Sequence, residues 1–344
     1  MQGFLRPAAG LTFLFALAVT GCSAESGIAS DAEPPERSSA SPSVSATEST
    51  SSVTAYAPYV SADEASDNDS AGSPSVYNLA FVIADGSGCT PSWNGTSAVG
   101  DSSVASRISA LKEDGAKVRV SFGGASGKEL AETCSSAAKL AAAYGKALDA
   151  AGSSLADFDI EGDALTDSDS VDLRSEAIAL LQQERSGLAV SFTLPVMPSG
   201  LDDDSVALLQ SANDKSVQVS TVNIMTMNYG ESYDGDMGDY AITSAKAAQA
   251  QLKEVFGTSD STAWRAMALT SMIGTNDVDG ETFTLSDAAQ LREFAASKEV
   301  AWVSMWSTFR DQECQSGNAD QDDALTDCSG VSQSAGAFGE ALGG

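Results

Sequence analysis

The 344-residue sequence contains no histidine, and only 18 lysines and arginines stand against 48 aspartates and glutamates. The missing histidine excludes a Ser-His-Asp or Cys-His nucleophile, a histidine general base and a histidine-ligated zinc site. Acid–base chemistry therefore has to rest on carboxylates, tyrosine, lysine or cysteine. The formal charge of -30 argues against nucleic acid and polyphosphate partners, because phosphate groups would be repelled. Neutral partners such as polysaccharides remain open.

The N-terminus has the pattern of an export signal. Arg6 precedes an apolar run from Leu11 to Val19, which is too short to span a bilayer and fits a signal-peptide core. The ending "VTGC" resembles a bacterial lipobox, in which the cysteine is lipidated and becomes the first residue of the mature protein. We expect a lipoprotein signal peptide over residues 1–21 and an anchored lipoprotein at the cell surface, modified at Cys22. Secretion behind an ordinary signal peptide is the alternative.

Residues 22–51 are rich in Ser, Ala, Glu and Pro and have almost no large apolar side chain. This composition predicts a disordered tether, followed by one folded domain over residues 52–344. We see no appended carbohydrate-binding module in the tether. We expect the protein to be a monomer whose contact with the membrane is its lipid anchor alone.

Four cysteines follow Cys22, an even number in a chain predicted to be exported. Three pairings are possible, and proximity along the chain favours Cys89–Cys134 and Cys314–Cys328. The second bond would close a short loop, of the length for which the chain-entropy model gives about 3 kcal/mol. Free buried thiols are the alternative, which export disfavours.

Apolar, β-branched runs recur after the tether. Near-continuous runs of this kind are typical of strands in a parallel sheet that is covered on both faces. The predicted strands are residues 53–60, 76–85, 117–124, 155–162, 188–196, 221–230, 265–274 and 301–309.

Helix-like segments separate most of these strands, with capping residues in front and glycine behind. The predicted helices are residues 103–115, 135–152, 170–187, 241–257 and 284–300. The repeated alternation predicts an α/β fold, a (β/α)8 TIM barrel, with a short first connection and a weak last helix. An open doubly wound sheet is the alternative, but no glycine-rich nucleotide loop follows the first strand.

The run "LADFDIEGDAL" at residues 155–165 places Asp157, Asp159 and Glu161 at alternate positions of a predicted strand. Alternate side chains share one face, so the three acids point into the barrel together. Adjacent buried carboxylates cannot all ionise easily, so one pKa rises and a carboxylic acid is kept for proton donation. A polar network or a calcium site is the alternative. Three acids on one strand without loop carbonyls make a poor calcium cage.

The active site of such a barrel lies at the C-terminal strand ends. The other residues predicted at those ends are Asp85, Ser121, Gly123, Gly124, Met225, Met227, Tyr229, Asn276, Asp277 and Trp306. We expect the glycines to give backbone space beside the pocket and the methionines to act mainly in packing. Asp85, Asn276 and Asp277 are candidate rim contacts. Trp93 is a further candidate platform for a sugar.

These residues carry a resemblance to a known family. "DFDIEG" resembles the fourth-strand signature D-x-x-D-x-D-x-E of the family-18 glycoside hydrolases, the chitinases and their relatives, and "SFGG" from Ser121 matches their third-strand S-x-G-G. The resemblance spans residue 55 to about residue 312. Ser154 departs from the first Asp of the signature. Asn228 stands where bacterial relatives often have Asp, and its amide can still bond a sugar but carries no charge.

The resemblance implies a substrate-assisted, retaining mechanism. Glu161 would protonate the glycosidic oxygen and later act as a base toward water, while the N-acetyl carbonyl of the substrate attacks the anomeric carbon. Asp159 would bond the acetamido N–H, Asp157 would orient Asp159, and Tyr229 would donate to the acetamido carbonyl. Trp306 would form an apolar floor under the sugar. The substrate-binding residues expected with it are Asn228, Met227, Gly123, Gly124, Asp85 and Asn276.

The resemblance therefore implies a glycosidase that cleaves β-1,4 bonds of N-acetylglucosamine polymers or oligomers, with no cofactor and no metal. A barrel that binds chitin or another glycan without cleaving it is one alternative. Such proteins usually lack the glutamate that Glu161 supplies here. An endo-β-N-acetylglucosaminidase acting on N-glycans is another, because it shares the chemistry and differs in its loops.

Overall fold

The computed structural model describes residues 54–314 and 327–344. The predicted signal peptide, Cys22 and the predicted tether lie outside the described residues. Within those two ranges no helix is both long enough and apolar enough to cross a bilayer.

The described strands form a closed eight-stranded barrel and two small pairs of strands outside it, β4 with β5 and β11 with β12. They are β1 (Ala55–Tyr56), β2 (Tyr59–Ser61), β3 (Val76–Ala84), β4 (Pro91–Trp93), β5 (Ser97–Ala98), β6 (Lys117–Gly123), β7 (Leu155–Asp159), β8 (Ala189–Pro195), β9 (Val219–Met225), β10 (Met267–Met272), β11 (Gly274–Thr275), β12 (Thr282–Phe283) and β13 (Trp302–Trp306).

The barrel closes through an interrupted first strand. β1 pairs in parallel with β13, Ala55 opposite Trp302, and β2 pairs in parallel with β3, Tyr59 opposite Asn78. From β3 the parallel order continues through β6, β7, β8, β9, β10 and β13, which returns to β1. With β1 and β2 counted as one interrupted strand, eight parallel strands form a closed barrel. The predicted (β/α)8 barrel is confirmed, and the open sheet is not formed.

Helices surround the barrel. In the described ranges they are α1 (Ser102–Leu111), α2 (Ala137–Ala151), α3 (Asp163–Thr166), α4 (Ser168–Glu184), α5 (Asp203–Asp214), α6 (Met237–Phe256), α7 (Asp260–Arg265), α8 (Leu285–Lys298) and α9 (Ala337–Gly343), with 3-10 turns at Leu130–Glu132 and Thr308–Arg310. The five predicted helices are all present. The sequence reading missed α5, which begins where the Asp202 side chain accepts the backbone N–H of Ser205.

Alternation along β7 explains both its acids and its aromatic ring. Asp157 and Asp159 point into the barrel, so Phe158 between them points outward against the helices. There it lies between Phe122 and Phe192, with ring centroids 5.3 and 5.7 Å away, on neighbouring strands in matching register. Burying one such side chain stabilises the fold by about 1.5–3 kcal/mol. The outer aromatic row therefore holds the register that lines up the inward acids.

Trp93 belongs to the core. It lies on β4, which extends β3 as an antiparallel hairpin, and its side chain has no exposed surface. Its indole N–H donates to the carbonyl of Val99 at 3.4 Å. The expectation that Trp93 offers a sugar platform is therefore wrong, because the short strand β4 turns the ring inward.

Both predicted disulfides are formed, Cys89–Cys134 and Cys314–Cys328, which confirms the preferred pairing. Disulfide bonds persist in oxidising compartments, so they agree with an exported protein. The second bond joins the chain after β13 to the segment that leads to α9.

Candidate active site

Asp157 lies deepest of the three acids and accepts hydrogen bonds from four hydroxyl groups. The donors are Tyr59 at 3.0 Å, Ser121 at 2.7 Å, Ser191 at 2.7 Å and Thr193 at 2.8 Å. Ser121 and Ser191 are the direct register partners of Asp157 on the two neighbouring strands. Since hydroxyl donors stabilise a negative carboxylate, the barrel is built to hold a buried charge at this position.

Asp159 and Glu161 form a hydrogen-bonded carboxyl pair above Asp157. Burial raises the pKa of Asp159 well above its usual range, and the charges of Glu161 and Asp157 raise it further. Burial also raises the pKa of Glu161, with the hydrogen bond from Asp159 opposing the shift and the charge of Asp277 adding to it. The pair therefore holds a proton above the pH at which free carboxyls lose theirs, which is what a general acid requires.

One oxygen of this pair is still available. Oδ1 of Asp159 is buried and has no hydrogen-bond partner among the described residues. A buried acceptor without a partner costs free energy, so it marks a place where a donor from outside the protein can bind.

The acids open into a cavity of about 410 Å³, a size typical of small-molecule sites. Its remaining lining is mostly apolar or aromatic. The lining residues are Tyr59, Phe81, Ala125, Asp159, Glu161, Gly162, Thr193, Pro195, Val196, Met197, Asp202, Met225, Met227, Asn228, Thr270, Asp277 and Trp306. The structure thus brings together seven of the predicted site residues: Asp159, Glu161, Met225, Met227, Asn228, Asp277 and Trp306.

Trp306 is part of an aromatic wall. Its ring stacks on Phe81 with centroids 5.5 Å apart and meets the edge of Tyr59 at 5.8 Å. Met225 and Met227 line the cavity from the β9 side, which the strand order places across the barrel from Tyr59. Aromatic faces of this kind bind the C–H surfaces of sugar rings.

Two hydrogen bonds join Asn228 and Asp277 at the rim of the cavity, and this pair is called the clasp. Nδ2 of Asn228 donates to Oδ2 of Asp277 at 2.9 Å, and the backbone N–H of Asp277 donates to Oδ1 of Asn228 at 3.1 Å. Asn228 has a left-handed backbone, with φ of 55°, a conformation that asparagine tolerates better than most residues. Behind it the buried Glu281 accepts the N–H of Gly230 at 2.8 Å.

Three predicted contacts do not line the cavity. Tyr229 is 4% exposed, and its hydroxyl accepts a hydrogen bond from Ser244 of α6 at 3.4 Å. Asp85 is exposed in the turn after β3, and Asn276 is buried with Nδ2 donating to the carbonyls of Met272 and Gly274. These three residues therefore lie outside the cavity lining, and their contact with a substrate stays a prediction.

Gly123 and Gly124 give backbone space, as expected, but neither lines the cavity. A Cβ on Gly123 would lie 2.1 Å from the carbonyl oxygen of Asp159, and one on Gly124 would lie 2.9 Å from the ring of Phe81. The N–H of Gly124 donates to the carbonyl of Asp159 at 2.9 Å. The two glycines therefore let the chain after β6 pass against the end of β7.

Several residues that line the cavity were not predicted from the sequence. Tyr59, Phe81 and Thr193 all lie within predicted strands, and Asp202 lies just before α5. Their inward direction depends on strand register, which a single strand does not reveal. The signal available for Tyr59 and Thr193 was a polar group in an otherwise apolar run. For Phe81 no sequence signal distinguishes it from core residues.

Comparisons with known proteins find similar proteins that are named as chitinases. No family model matches the chain. Over 249 residues it is 33% identical to a probable bifunctional chitinase/lysozyme of Escherichia coli K12, covering 68% of this chain and 28% of that protein. Over 250 residues it is 34% identical to endochitinase 11 of Metarhizium anisopliae, covering 68% of this chain and 47% of that protein. The chain thus matches less than half the length of either relative.

A solved structure is similar over most of both chains. It is a crystal structure of catalytic-site mutants of active domain 2 of a thermostable chitinase from Pyrococcus furiosus, complexed with chito-oligosaccharides. The superposition has a TM-score of 0.71 at 29% identity and covers 83% of this chain and 92% of that one.

Proposed function

Since the chain is chitinase-like in sequence and in fold, of the family-18 type, we propose that it is a glycoside hydrolase cleaving β-1,4 bonds of N-acetylglucosamine oligomers or polymers. The observation that carries the proposal is the hydrogen-bonded pair of Asp159 and Glu161 at the cavity. A pair in direct contact is closer than the roughly 5–5.5 Å that separates the acid and the nucleophile of ordinary retaining glycosidases. This contact argues against Asp159 as the nucleophile and favours the substrate's own N-acetyl group for that part.

The first half of the proposed reaction starts from a protonated Glu161. Its proton passes to the glycosidic oxygen as the bond from that oxygen to the anomeric carbon breaks. The acetamido carbonyl oxygen attacks the same carbon and forms an oxazolinium ion. Asp159 accepts the acetamido N–H, for which the unpartnered Oδ1 is suited. Asp157, whose charge four hydroxyls stabilise, supports Asp159 from below.

In the second half, the Glu161 carboxylate takes a proton from water while the water oxygen attacks the anomeric carbon. The oxazolinium ring opens and the N-acetyl group is restored, so the sugar keeps its configuration. Glu161 ends protonated and ready for another cycle. The raised pKa of Glu161 suits both parts, because a carboxyl that titrates closer to neutral pH can donate and accept.

The substrate class follows from the wall that faces the acids. Trp306 is proposed as the floor beneath the sugar next to the cleaved bond, with Met227 and Asn228 on the other side. The Pyrococcus structure with chito-oligosaccharides supports chitin fragments as ligands of this kind of barrel. Since the curated relatives are longer than the matched region, their full activities are not carried over.

The test is release of a fluorophore from a chitobioside and a chitotrioside by the full chain, beside Glu161→Gln. We expect turnover by the parent and a loss of about 10²–10⁴-fold in the variant. Asp85→Asn is the matched control, because it removes an exposed carboxylate outside the cavity and should leave turnover unchanged. The same aglycone on a sugar without the acetamide should not be cleaved. Saturable binding of chito-oligosaccharides without turnover would instead support a glycan-binding barrel.

We further propose that residues 52–344 act as one catalytic domain, as a monomer, tethered by lipid on Cys22. The lipobox-like ending and the tether composition support the anchor. The two disulfides support export. Fractionation of cells tests the anchor: the parent should be found with membranes and Cys22→Ala in the medium. Membrane association of both proteins would reject the lipid anchor.

A further inference from the structure

The clasp between Asn228 and Asp277 fixes a carboxylate at the rim of the cavity. Two hydrogen bonds join the residues in opposite directions, side chain to side chain and backbone to side chain. A pair joined twice has one relative orientation. Both side chains line the same cavity as Glu161. The Asp277 carboxylate is therefore held at the exposed rim of the cavity that Glu161 also lines.

The Asn228 side of the clasp is supported by Glu281. Oε1 of this buried carboxylate accepts the backbone N–H of Gly230, two residues after Asn228, at 2.8 Å. This hydrogen bond joins the turn after β9 to the segment between β11 and β12, which also carries Asp277. The turn keeps Asn228 in its left-handed backbone, and so keeps its amide directed at Asp277.

The Asp277 side is supported from the 3-10 turn after β13 and from the C-terminal segment. Nη2 of Arg310 donates to the carbonyl of Thr275 at 2.7 Å. The N–H of Thr275 donates to the carbonyl of Ser329 at 2.8 Å. The loop that carries Asp277 is thus held two residues before the carboxylate.

The charged and titratable groups around Glu161 come from several elements. They are Asp157 and Asp159 on β7, Tyr59 on β2, Asp202 before α5, Asp277 after β11, and Arg310 behind Asp277. Asp157 has its charge stabilised by four hydroxyls, and Asp202 caps α5 by accepting the N–H of Ser205 at 2.7 Å. Asp277 differs from both, because Asn228 gives it only one side-chain donor and its charge acts on Glu161.

We propose that Asp277, oriented by Asn228, is a positioning residue that keeps Glu161 protonated for proton donation. This inference rests on the proposed function, in which Glu161 is the general acid. A negative charge beside a carboxyl favours its protonated form. Asn228, which carries no charge itself, contributes by holding the charged partner in place.

The experiment compares kcat/KM against pH for the parent and three variants on a chitotrioside. Asp277→Asn keeps an oxygen for the amide of Asn228 and removes only the charge. We expect its alkaline limb to move to lower pH, so that activity on that limb falls about 3–10-fold relative to the acid limb. In Asn228→Asp/Asp277→Asn the donor and acceptor exchange places and one charge is restored, so the limb should return toward that of the parent. Asp203→Asn removes an exposed carboxylate of α5 outside the cavity and should leave the limb in place.

A second measurement is independent of turnover. ¹³C-carboxyl NMR of glutamate-labelled protein follows the titration of Glu161, identified by the signal that Glu161→Gln removes. We expect Asp277→Asn to lower that midpoint and the double variant to restore it. An unmoved midpoint and limb in Asp277→Asn, or an equal loss of activity at every pH, would overturn the proposal. Shifted NMR midpoints with no turnover in the parent would support Asp277 and reject the proposed function.

Discussion

Glu129 and Arg174 form an ion pair at 2.9 Å, with side chains 2% and 1% exposed. The hydroxyl of Tyr144 donates to the other oxygen of Glu129 at 2.6 Å. Nη2 of Arg174 also reaches the carbonyl of Ala164, three residues after Glu161, at 3.4 Å. The pair thus joins the segment after β6, helix α4 and the chain beyond Glu161.

Arg174→Met should destabilise the protein by about 3–5 kcal/mol, because it leaves Glu129 buried without its counter-ion. Urea unfolding of the two proteins at neutral pH measures the difference. Arg185→Met, at the residue that follows α4, is the control. Arg185 pairs with Asp149 at 2.7 Å in an exposed setting, so its loss should cost within about 1 kcal/mol. Equal losses in the two variants would contradict the role given to the buried pair.

The free energy of unfolding should fall as pH rises past the ordinary values of 3.8 for Asp159 and 4.5 for Glu161. Both folded pKa values are raised, so the folded state keeps protons that the unfolded chain releases, and stability is lost until the folded groups have also titrated. Urea unfolding across a pH series measures this decline. It should be shallower in Asp159→Asn, whereas Asp85→Asn, which alters an exposed carboxyl, should follow the parent. An identical slope in Asp159→Asn would reject the buried pair as its source.

Gly123→Ala should cost about 1–3 kcal/mol and reduce kcat by about 100-fold. The added Cβ would meet the carbonyl oxygen of Asp159 at 2.1 Å, and the backbone φ of 100° strains any side chain. Thermal unfolding and chitotrioside turnover measure the two effects. Gly100→Ala is the control, since no atom lies within 4 Å of its Cβ. Unchanged turnover in Gly123→Ala would show that the end of β7 tolerates displacement.

Tyr59→Phe should lower kcat by about 10-fold, because it removes one of the four hydroxyls that stabilise the charge of Asp157. Steady-state turnover of the chitotrioside at the pH optimum gives the value. Tyr56→Phe provides the comparison, since the buried hydroxyl of Tyr56 has no hydrogen-bond partner among the described residues. Matching kcat values for the two variants would mean that the hydroxyl of Tyr59 does not contribute to catalysis.

Much of the architecture could be predicted from periodicity. Eight apolar runs, separated by capped helical segments, matched the eight strands of the barrel, and cysteine spacing gave both disulfides. Local rules suffice for these features, because hydrophobic period and caps act over a few residues. Helix α5 was not predicted, because the mostly acidic sequence of its first turn is also typical of a loop.

The sequence by itself determined that the chemistry rests on carboxylates, since histidine is absent, and that Asp157, Asp159 and Glu161 share one face of a strand. Only the tertiary structure decided which groups meet them. The donors to Asp157 come from β2, β6 and β8, and the partner of Asn228 lies 49 residues further along the chain. It also buried Trp93 in the core. Such meetings depend on strand register and on left-handed turns, which arise when the whole barrel closes, and no local stretch of sequence encodes them.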